Sequence, residues 1–560
     1  MIVRRGSVFY VLFAIVLVLV AYFLGLFVDT TGDAGKYAAI ARNIIESGDY
    51  INLKIHGEPY DQKPQLLFWL AAFGFKLGGL HNWSFKLFPI LYGFSGFWFT
   101  YKLGETLYNK NTGKLAALML ATSWVFFLFT MDVHTDLVLQ ANVTLAIWQL
   151  AAYLKTRKTS QFIWAFVGVG LAMMSKGPVG AAVPAFALGA HLLLNKQYKD
   201  LFHPRWIVGI LIAMAIVLPA LIGLYNQFGM AGLKFFFIEN NVGRITGSYV
   251  GHNTDYFFYL HTVLYLVLPW TFLLLYGFYR EIGSYFRPSP TNREYFTLGG
   301  IWVFILIASV ARGKAPHYIF MLIPMMLVVV AKWITKLLEQ TSGQTLRRIL
   351  LAQAFIPFLL AAFLLLVMGY LFPPSNAVFW LLPLVGLVLV VLLLKFEKRP
   401  QVKLFLPSVL MMATLMIYLN GEALPMVYEY QASTKASRIY NQEALPEEPM
   451  YNYLYHQFEP YFYSHTTVKR IYSINELKLD PENASWVFTT EAGKDTLLAN
   501  YGADVLKSYP LKHRRMTSLS PRFLNPATRE QTLEPMYLFK LQAQPKSNAV
   551  IEAAADEKQK

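Results

Sequence analysis

The 560-residue chain contains no cysteine, which excludes a disulfide framework, a thiol nucleophile and any cysteine-based metal site. Charge is scarce as well: Asp, Glu, Lys and Arg make up 15% of the residues, against 56% hydrophobic and 16% aromatic. A soluble globule needs more polar surface than that, so composition assigns the chain to the polytopic membrane class. Acids are the scarcer sign, 33 against 49 Lys and Arg, for a net charge of +16. The cations alternate with apolar runs instead of forming one patch, and the aromatics follow the same runs, so no nucleic-acid partner is expected. Glycine-rich phosphate loops of the P-loop or dinucleotide type are missing, as are internal repeats and the paired broken helices of many secondary transporters.

What the sequence has instead is apolar runs of membrane-spanning length. The first, at 8–28, follows Arg4 and Arg5. It is longer than a signal-peptide core and ends without a small-residue cleavage site, so it is expected to remain as a transmembrane helix with its N-terminus in the cytoplasm. Measured in lengths of roughly 20 residues, spans fall near 8–28, 84–104, 114–131, 137–154, 160–175, 178–195, 206–225, 257–279, 296–311, 316–335, 348–371, 376–395 and 404–420, about thirteen in all. Every second connection gathers Lys and Arg, as in Lys155, Arg157 and Lys158, or Lys395, Lys398 and Arg399, which marks it as cytoplasmic. The fold class expected is therefore an all-α polytopic membrane domain over 1–420, with 29–80 as its first outer loop. From 421 the composition turns polar and tyrosine-rich, with strand-like runs at 485–490 and 536–541 around a helical stretch at 494–501. This pattern predicts a small α/β domain over 421–545 on the outer side, with 546–560 as a tail.

The polar motifs concentrate in the other set of connections. Segment 29–64 holds Asp29, Asp33 and Asp61 together with Lys36, Arg42 and Lys63. Within it Tyr37, Ile40, Ala41, Ile44 and Ile45 recur at helical spacing, which predicts an amphipathic helix lying in the interface. Asp33 stands at its start, where it would serve as a helix cap or as a carboxylate facing water. Further connections carry Tyr60-Asp61-Gln62-Lys63-Pro64, Asp132-Val133-His134-Thr135-Asp136, Ser175-Lys176-Gly177-Pro178, Glu239-Asn240-Asn241-Val242-Gly243-Arg244 and Arg312-Gly313-Lys314-Ala315-Pro316-His317-Tyr318. Acids and phosphate-type cations on one side of a membrane fit a site where a lipid-bound anion meets a polar acceptor. We read 29–64 as the active-site loop of a membrane enzyme.

The order of these motifs resembles the C-type membrane glycosyltransferases, in particular the bacterial 4-amino-4-deoxy-L-arabinose (lipid A) transferases and protein O-mannosyltransferases. The resemblance rests on Asp33-x-x-x-Tyr37, Ser47-Gly48-Asp49, Tyr60-x-x-Lys63-Pro64, Thr135-Asp136, Lys176-Gly177-Pro178 and Gly313-Lys314-x-Pro316-x-Tyr318. It implies a bacterial inner-membrane enzyme that moves a sugar, with inversion, from an undecaprenyl-phosphate type of donor to a glycolipid or glycan acceptor, a lipid A-like one first, on the periplasmic face. Asp33 would be the principal acid and Asp136 its acidic partner, with Asp132 the alternative. Lys63, Arg244 and Lys314 would hold the donor phosphate or the acceptor's charge, joined by Lys176, and Tyr37, Tyr60 and Tyr318 would position the substrates. Cations aimed at a departing lipid phosphate supply the preorganised charge such a reaction needs.

The aminoarabinose transferases tend to carry Glu where this chain has Gln62, and His where it has Asn241. Both changes remove a metal donor, so no divalent metal and no other cofactor is expected. A histidine cluster of His134, His252 and His317 is the competing reading, and snorkelling is the competing account of Lys176. Partners expected are membrane lipids and the two substrates, with the protein itself a monomer. A lipid-linked-glycan flippase would use similar cations but would require charges deep inside the spans, and these are nearly free of charge. A non-catalytic assembly scaffold built on the C-terminal region is the third possibility.

Overall fold

The structure, a computed structural model, describes residues 5–247, 253–287, 293–340, 343–516 and 519–543. It is mostly helical and divides into two units, one of Met1–Val28, Ile40–Lys54 and Pro59–Leu424, the other of Asp29–Ala39, Ile55–Glu58 and Pro425–Lys560.

The first unit is a helical bundle. Among the described residues six helices are long and apolar enough to cross a membrane: Thr135–Thr156, Tyr198–Thr246, Pro316–Glu339, Gln344–Leu371, Ala377–Phe396 and Pro400–Tyr428. A seventh forms if Lys110–Ala121 and Trp124–Met131, bent by 47° at their junction, are taken together. Other apolar runs give shorter helices, such as Val179–Leu194 and Phe296–Val310. One run lies in a long helix, Asn82–Leu107, that also carries Lys86, Lys102 and Glu105.

Thr135–Thr156 is the axis of the unit, buried along almost its whole length. It packs closely on Thr159–Lys176 because Gly168 faces Ala146, where an added Cβ would stand 2.9 Å from backbone. The outer helices show the opposite pattern. Phe9, Leu12, Ile15, Leu19 and Phe23 all lie exposed on the helix Arg5–Gly25, an apolar face of the size that lipid covers. The chain is a multi-pass membrane protein.

Lys86 is one of the charged residues buried in this unit. It is fully buried, and its ammonium donates to the carbonyls of Gly25 (3.2 Å) and Val28 (2.6 Å), acceptors that the end of a helix leaves without partners of their own.

The second unit contains a five-stranded sheet in the order Lys469–Ile471, Met450–Tyr453, Ser485–Thr490, Glu534–Leu541, Val505–His513. The first three strands pair in parallel and the last two pair antiparallel. Tyr451, Tyr453, Val487, Leu497, Phe539 and Leu541 form its core, with Leu497 supplied by the helix Glu491–Tyr501. Thr490 caps that helix by accepting from the Gly493 amide.

Candidate active site

In the first unit the helix Arg205–Lys234 kinks at Gly229 (φ 59°), passes through a π turn at Phe235–Glu239 and re-forms as Asn240–Thr246. Such a turn widens the backbone and re-aims the helix beyond it. Asn241 serves the widened turn, its amide donating to the carbonyls of Phe236 (3.1 Å) and Phe237 (3.2 Å). One turn apart, Arg244 Nε donates to Asn240 Oδ1 at 3.1 Å. Backbone bonds from Gly313 to the Arg244 carbonyl (2.8 Å) and from Arg312 to that of Ile245 (3.1 Å) hold this turn against the 312–314 segment. Pro316 then opens the 3-10 turn Pro316–Leu322. It brings Tyr318 beneath Arg244, whose guanidinium lies 5.4 Å from the ring centre and donates to the phenol oxygen.

Lys176 reaches the same tyrosine from another helix. It is the last residue of Thr159–Lys176, and Gly177 turns the chain away at φ 83°, ψ −159°, a backbone that only glycine adopts without strain. The Lys176 ammonium stands 4.7 Å from the Tyr318 ring centre and 2.6 Å from Asp136 Oδ1. Asp136 occupies the first turn of Thr135–Thr156, where unpaired amides favour a carboxylate.

Lys176, Arg244 and Tyr318 border a cavity of about 330 Å³. Lys63, Lys176 and Arg244 bring three cations to its wall; Asn240, Asn241, Tyr259 and Tyr318 add polar atoms, and Leu139, Phe186, Phe237, Ile307 and Met321 are among its apolar lining. No carboxylate lines it among the described residues. The arrangement suits an anion joined to an apolar body.

Of the residues singled out from sequence, Lys63, Lys176, Arg244 and Tyr318 are thus brought together. Asp136, 1% exposed, stands behind Lys176 and off the wall. Asp132 is largely exposed and bonds His134 Nε2 at 3.1 Å. Lys314 also lies off the wall, its ammonium donating to the Asn253 carbonyl at 2.7 Å. Tyr60 is buried edge-on to Phe68 and shares a separate, much smaller cavity with Asp61 and Lys63. Burial pushes the Asp61 carboxyl above its ordinary range.

Asp33 and Tyr37 belong to the second unit. Asp33 is half exposed in the first turn of the helix Gly32–Ser47, inside the helix start and not at its cap, and its Oδ1 accepts from Lys36 at 2.7 Å. Tyr37 is buried beside the same ammonium, 5.6 Å from its ring centre. The Gly32 amide instead donates to Glu459 Oε1 at 2.8 Å, and Glu459 Oε2 accepts from Ser433 at 3.2 Å. Burial raises the Glu459 carboxyl above its usual range. Arg438 binds both oxygens of Asp29 in the same unit, at 2.7 and 2.8 Å.

The rings of His134 and His317 do meet, at 5.6 Å between centres, while His252 lies outside the described residues. Among the described residues no group of three His, Asp or Glu converges in the way a metal ion requires. Sequence reasoning missed three residues. Asn240 could have been found from its one-turn spacing to Arg244; Tyr259 and Glu459 carry no local signal, because only tertiary packing makes the first a wall residue and the second a cap.

Residues 62–222 match the family described as dolichyl-phosphate-mannose-protein mannosyltransferase. An uncharacterized protein of Aquifex aeolicus is 26% identical over 420 residues, 74% of this chain and 78% of that protein. The undecaprenyl phosphate-alpha-4-amino-4-deoxy-L-arabinose arabinosyl transferases of Edwardsiella ictaluri and Yersinia pestis are each 27% identical, over 56% and 51% of this chain. The matches span 57% and 52% of those two enzymes, a little over half their length. The crystal structure of ArnT from Cupriavidus metallidurans bound to undecaprenyl phosphate superimposes with a TM-score of 0.72 at 17% identity, covering 96% of this chain and 99% of that one. The fold is shared over essentially the whole length.

Proposed function

We propose that this chain is a C-type membrane glycosyltransferase that transfers a sugar from a polyprenyl-phosphate donor to an envelope acceptor, a reading supported by its family match, its relatives and its fold. The observation that carries the proposal is the cavity wall: Lys63, Lys176 and Arg244 face a space with apolar sides and no carboxylate among the described residues. A polyprenyl phosphate has that character, an anionic head on a hydrocarbon chain.

In the transfer, the acceptor oxygen attacks the anomeric carbon from the face opposite the phosphate, the bond from that carbon to the phosphate oxygen breaks, and the configuration inverts. Charge grows on the departing phosphate as the bond breaks. Cations already fixed in place, with little reorganisation left to make, lower the barrier most at that moment. Tyr318, held between Lys176 and Arg244, keeps the two cations apart and aimed. Asp33, acidic and half exposed, is the carboxylate proposed to take the acceptor's proton where the acceptor is a hydroxyl, or to orient it where the acceptor is a phosphate. Asp136 acts through Lys176, as a positioning residue. A lipid A-like glycolipid is the acceptor proposed, with reaction on the periplasmic face, the N-terminus cytoplasmic, about thirteen crossings and residues 421–545 outside.

Purified protein should release undecaprenyl phosphate from a matching donor, and Lys63→Gln, Arg244→Gln and Asp33→Asn should each slow that release by about 100-fold or more, roughly 3 kcal/mol of barrier. Wild-type protein that releases none from any such donor, together with unchanged envelope lipids and glycans in a strain lacking it, would overturn the proposal. Mass spectrometry of that strain's envelope identifies the acceptor.

A further inference from the structure

A second cavity in the first unit, about 980 Å³, lies at the other end of the bundle. Two helices connect the ends. Leu139, near the start of Thr135–Thr156, lines the smaller cavity and Ala151, Leu154 and Lys155 line the larger; Val179 and Ala182 line the smaller, and His191 and Asn195, at the far end of Val179–Leu194, the larger. At 1.5 Å per residue, Leu139 and Lys155 are about 24 Å apart along the axis.

Among the described residues seven cations line the larger cavity, Lys155, Arg157, Arg280, Arg287, Arg293, Lys332 and Lys336, against one carboxylate, Glu294. Some of this charge is neutralised locally. Arg157 pairs with Asp200 (2.6 Å), while Arg293 (3.2 Å) and Lys332 (2.6 Å) share the single buried carboxylate of Glu281. Among the described residues Lys155, Arg280, Arg287 and Lys336 have no carboxylate within ion-pair distance. Basic residues at a bundle end are ordinary in a membrane protein, but such side chains normally spread into solvent. Here Arg280, Lys332 and Lys336 crowd one indole, 5.1, 5.2 and 4.7 Å from the Trp333 ring centre, and the Trp333 N–H is anchored on Glu281 at 2.6 Å. Like charges gathered in a concave wall repel one another and focus potential into the space between them, and an anion would relieve that repulsion. Leu107, Ala151, Leu154 and Phe296 give the same space apolar surface.

We propose that this cavity is a second anion site, distinct from the transfer site, that binds a phosphate-bearing ligand through Arg280, Lys336 and their neighbours. The chemistry recognised is a phosphate ester or polyphosphate, and its source is either the headgroup of an anionic phospholipid or a soluble phosphate.

The test uses full-length protein in a zwitterionic detergent and follows its thermal unfolding midpoint against three probes: phosphatidylglycerol in mixed micelles, sodium pyrophosphate, and phosphatidylcholine with sodium chloride at matched ionic strength. A saturable stabilisation by phosphatidylglycerol with half-saturation at least tenfold weaker in Arg280→Gln/Lys336→Gln supports a lipid ligand. The same pattern with pyrophosphate supports a soluble one. The charge-retaining Arg280→Lys/Lys336→Arg protein should bind nearly as wild type and controls for folding; if the double-Gln protein fails to fold, Lys155→Gln, at the exposed rim, should weaken binding about threefold. Response to neither anion, or an equal response in wild type and in the charge-removing variants, overturns the proposal. The outcome is independent of glycosyl transfer.

Discussion

Lys176 and Asp136 form an ion pair of 2.6 Å in which the two side chains are 9% and 2% exposed. A pair so far from water is held by each partner's need for the other, since either charge alone would be buried without compensation. Asp136→Asn is therefore expected to destabilise the protein by about 3–5 kcal/mol. The double change Asp136→Leu/Lys176→Met should recover most of that stability while glycosyl transfer stays lost. Thermal unfolding and donor turnover, measured on the same preparations, separate the two effects.

Arg244 is fixed by Asn240 on one side and by Tyr318 beneath. Loss of its charge-assisted contacts to a donor phosphate corresponds to about 1.5–3 kcal/mol. Arg244→Gln should raise the donor KM at least tenfold, and Arg244→Lys should recover only part of that, because an ammonium cannot present the planar fork. A KM unaffected by either change would remove Arg244 from the donor site.

Gly177 holds φ 83° directly after Lys176. Gly177→Ala puts a side chain on a backbone that resists one, at about 1–3 kcal/mol, with Phe236 3.5 Å from the new Cβ. A lower unfolding midpoint together with a reduced kcat is expected, since the lysine just before the strained turn would shift. An unaltered midpoint would show that the turn relaxes freely.

Glu459 supplies the acceptor for the first amide of the helix that carries Asp33. Its folded-state pKa is raised by burial, so the native state holds the proton more tightly than the unfolded chain does. Stability is then greatest below the unfolded value, about 4.3, and falls as pH rises toward the folded one. Glu459→Gln keeps an acceptor and removes the titration, so its stability should change less between about pH 4 and pH 7 than that of wild type. Glu459→Ala, which removes the acceptor too, should cost about 1–2 kcal/mol. Chemical denaturation across that pH range checks both.

Much of the candidate site could be read in the sequence because its parts sit in short motifs beside helix ends. Lys63, Lys176, Arg244 and Tyr318 come from four separate segments and share one cavity. What the motifs could not show is depth. Asp132 and Asp136 lie four residues apart in one motif, yet the first is exposed and the second buried behind a lysine, a difference made by the helix that begins at Thr135. Lys314 reads like Lys176 in sequence but turns to a loop carbonyl. The strand-like runs at 485–490 and 536–541 do fall in strands; the order in which the sheet assembles them was not legible, since it depends on pairings between distant segments. The apolar run expected as one span over 114–131 is divided by a 47° bend between Lys110–Ala121 and Trp124–Met131, whereas prolines inside Arg205–Lys234 and Pro400–Tyr418 leave those helices continuous.

The ammonium of Lys86 sits on the carbonyls of Gly25 and Val28, and this pins the end of the helix Arg5–Gly25 to the helix Asn82–Leu107. Sliding that helix by one turn, about 5.4 Å, would strand a positive charge among hydrocarbon side chains. Translation of that helix along its axis is thus opposed by one residue from a later helix.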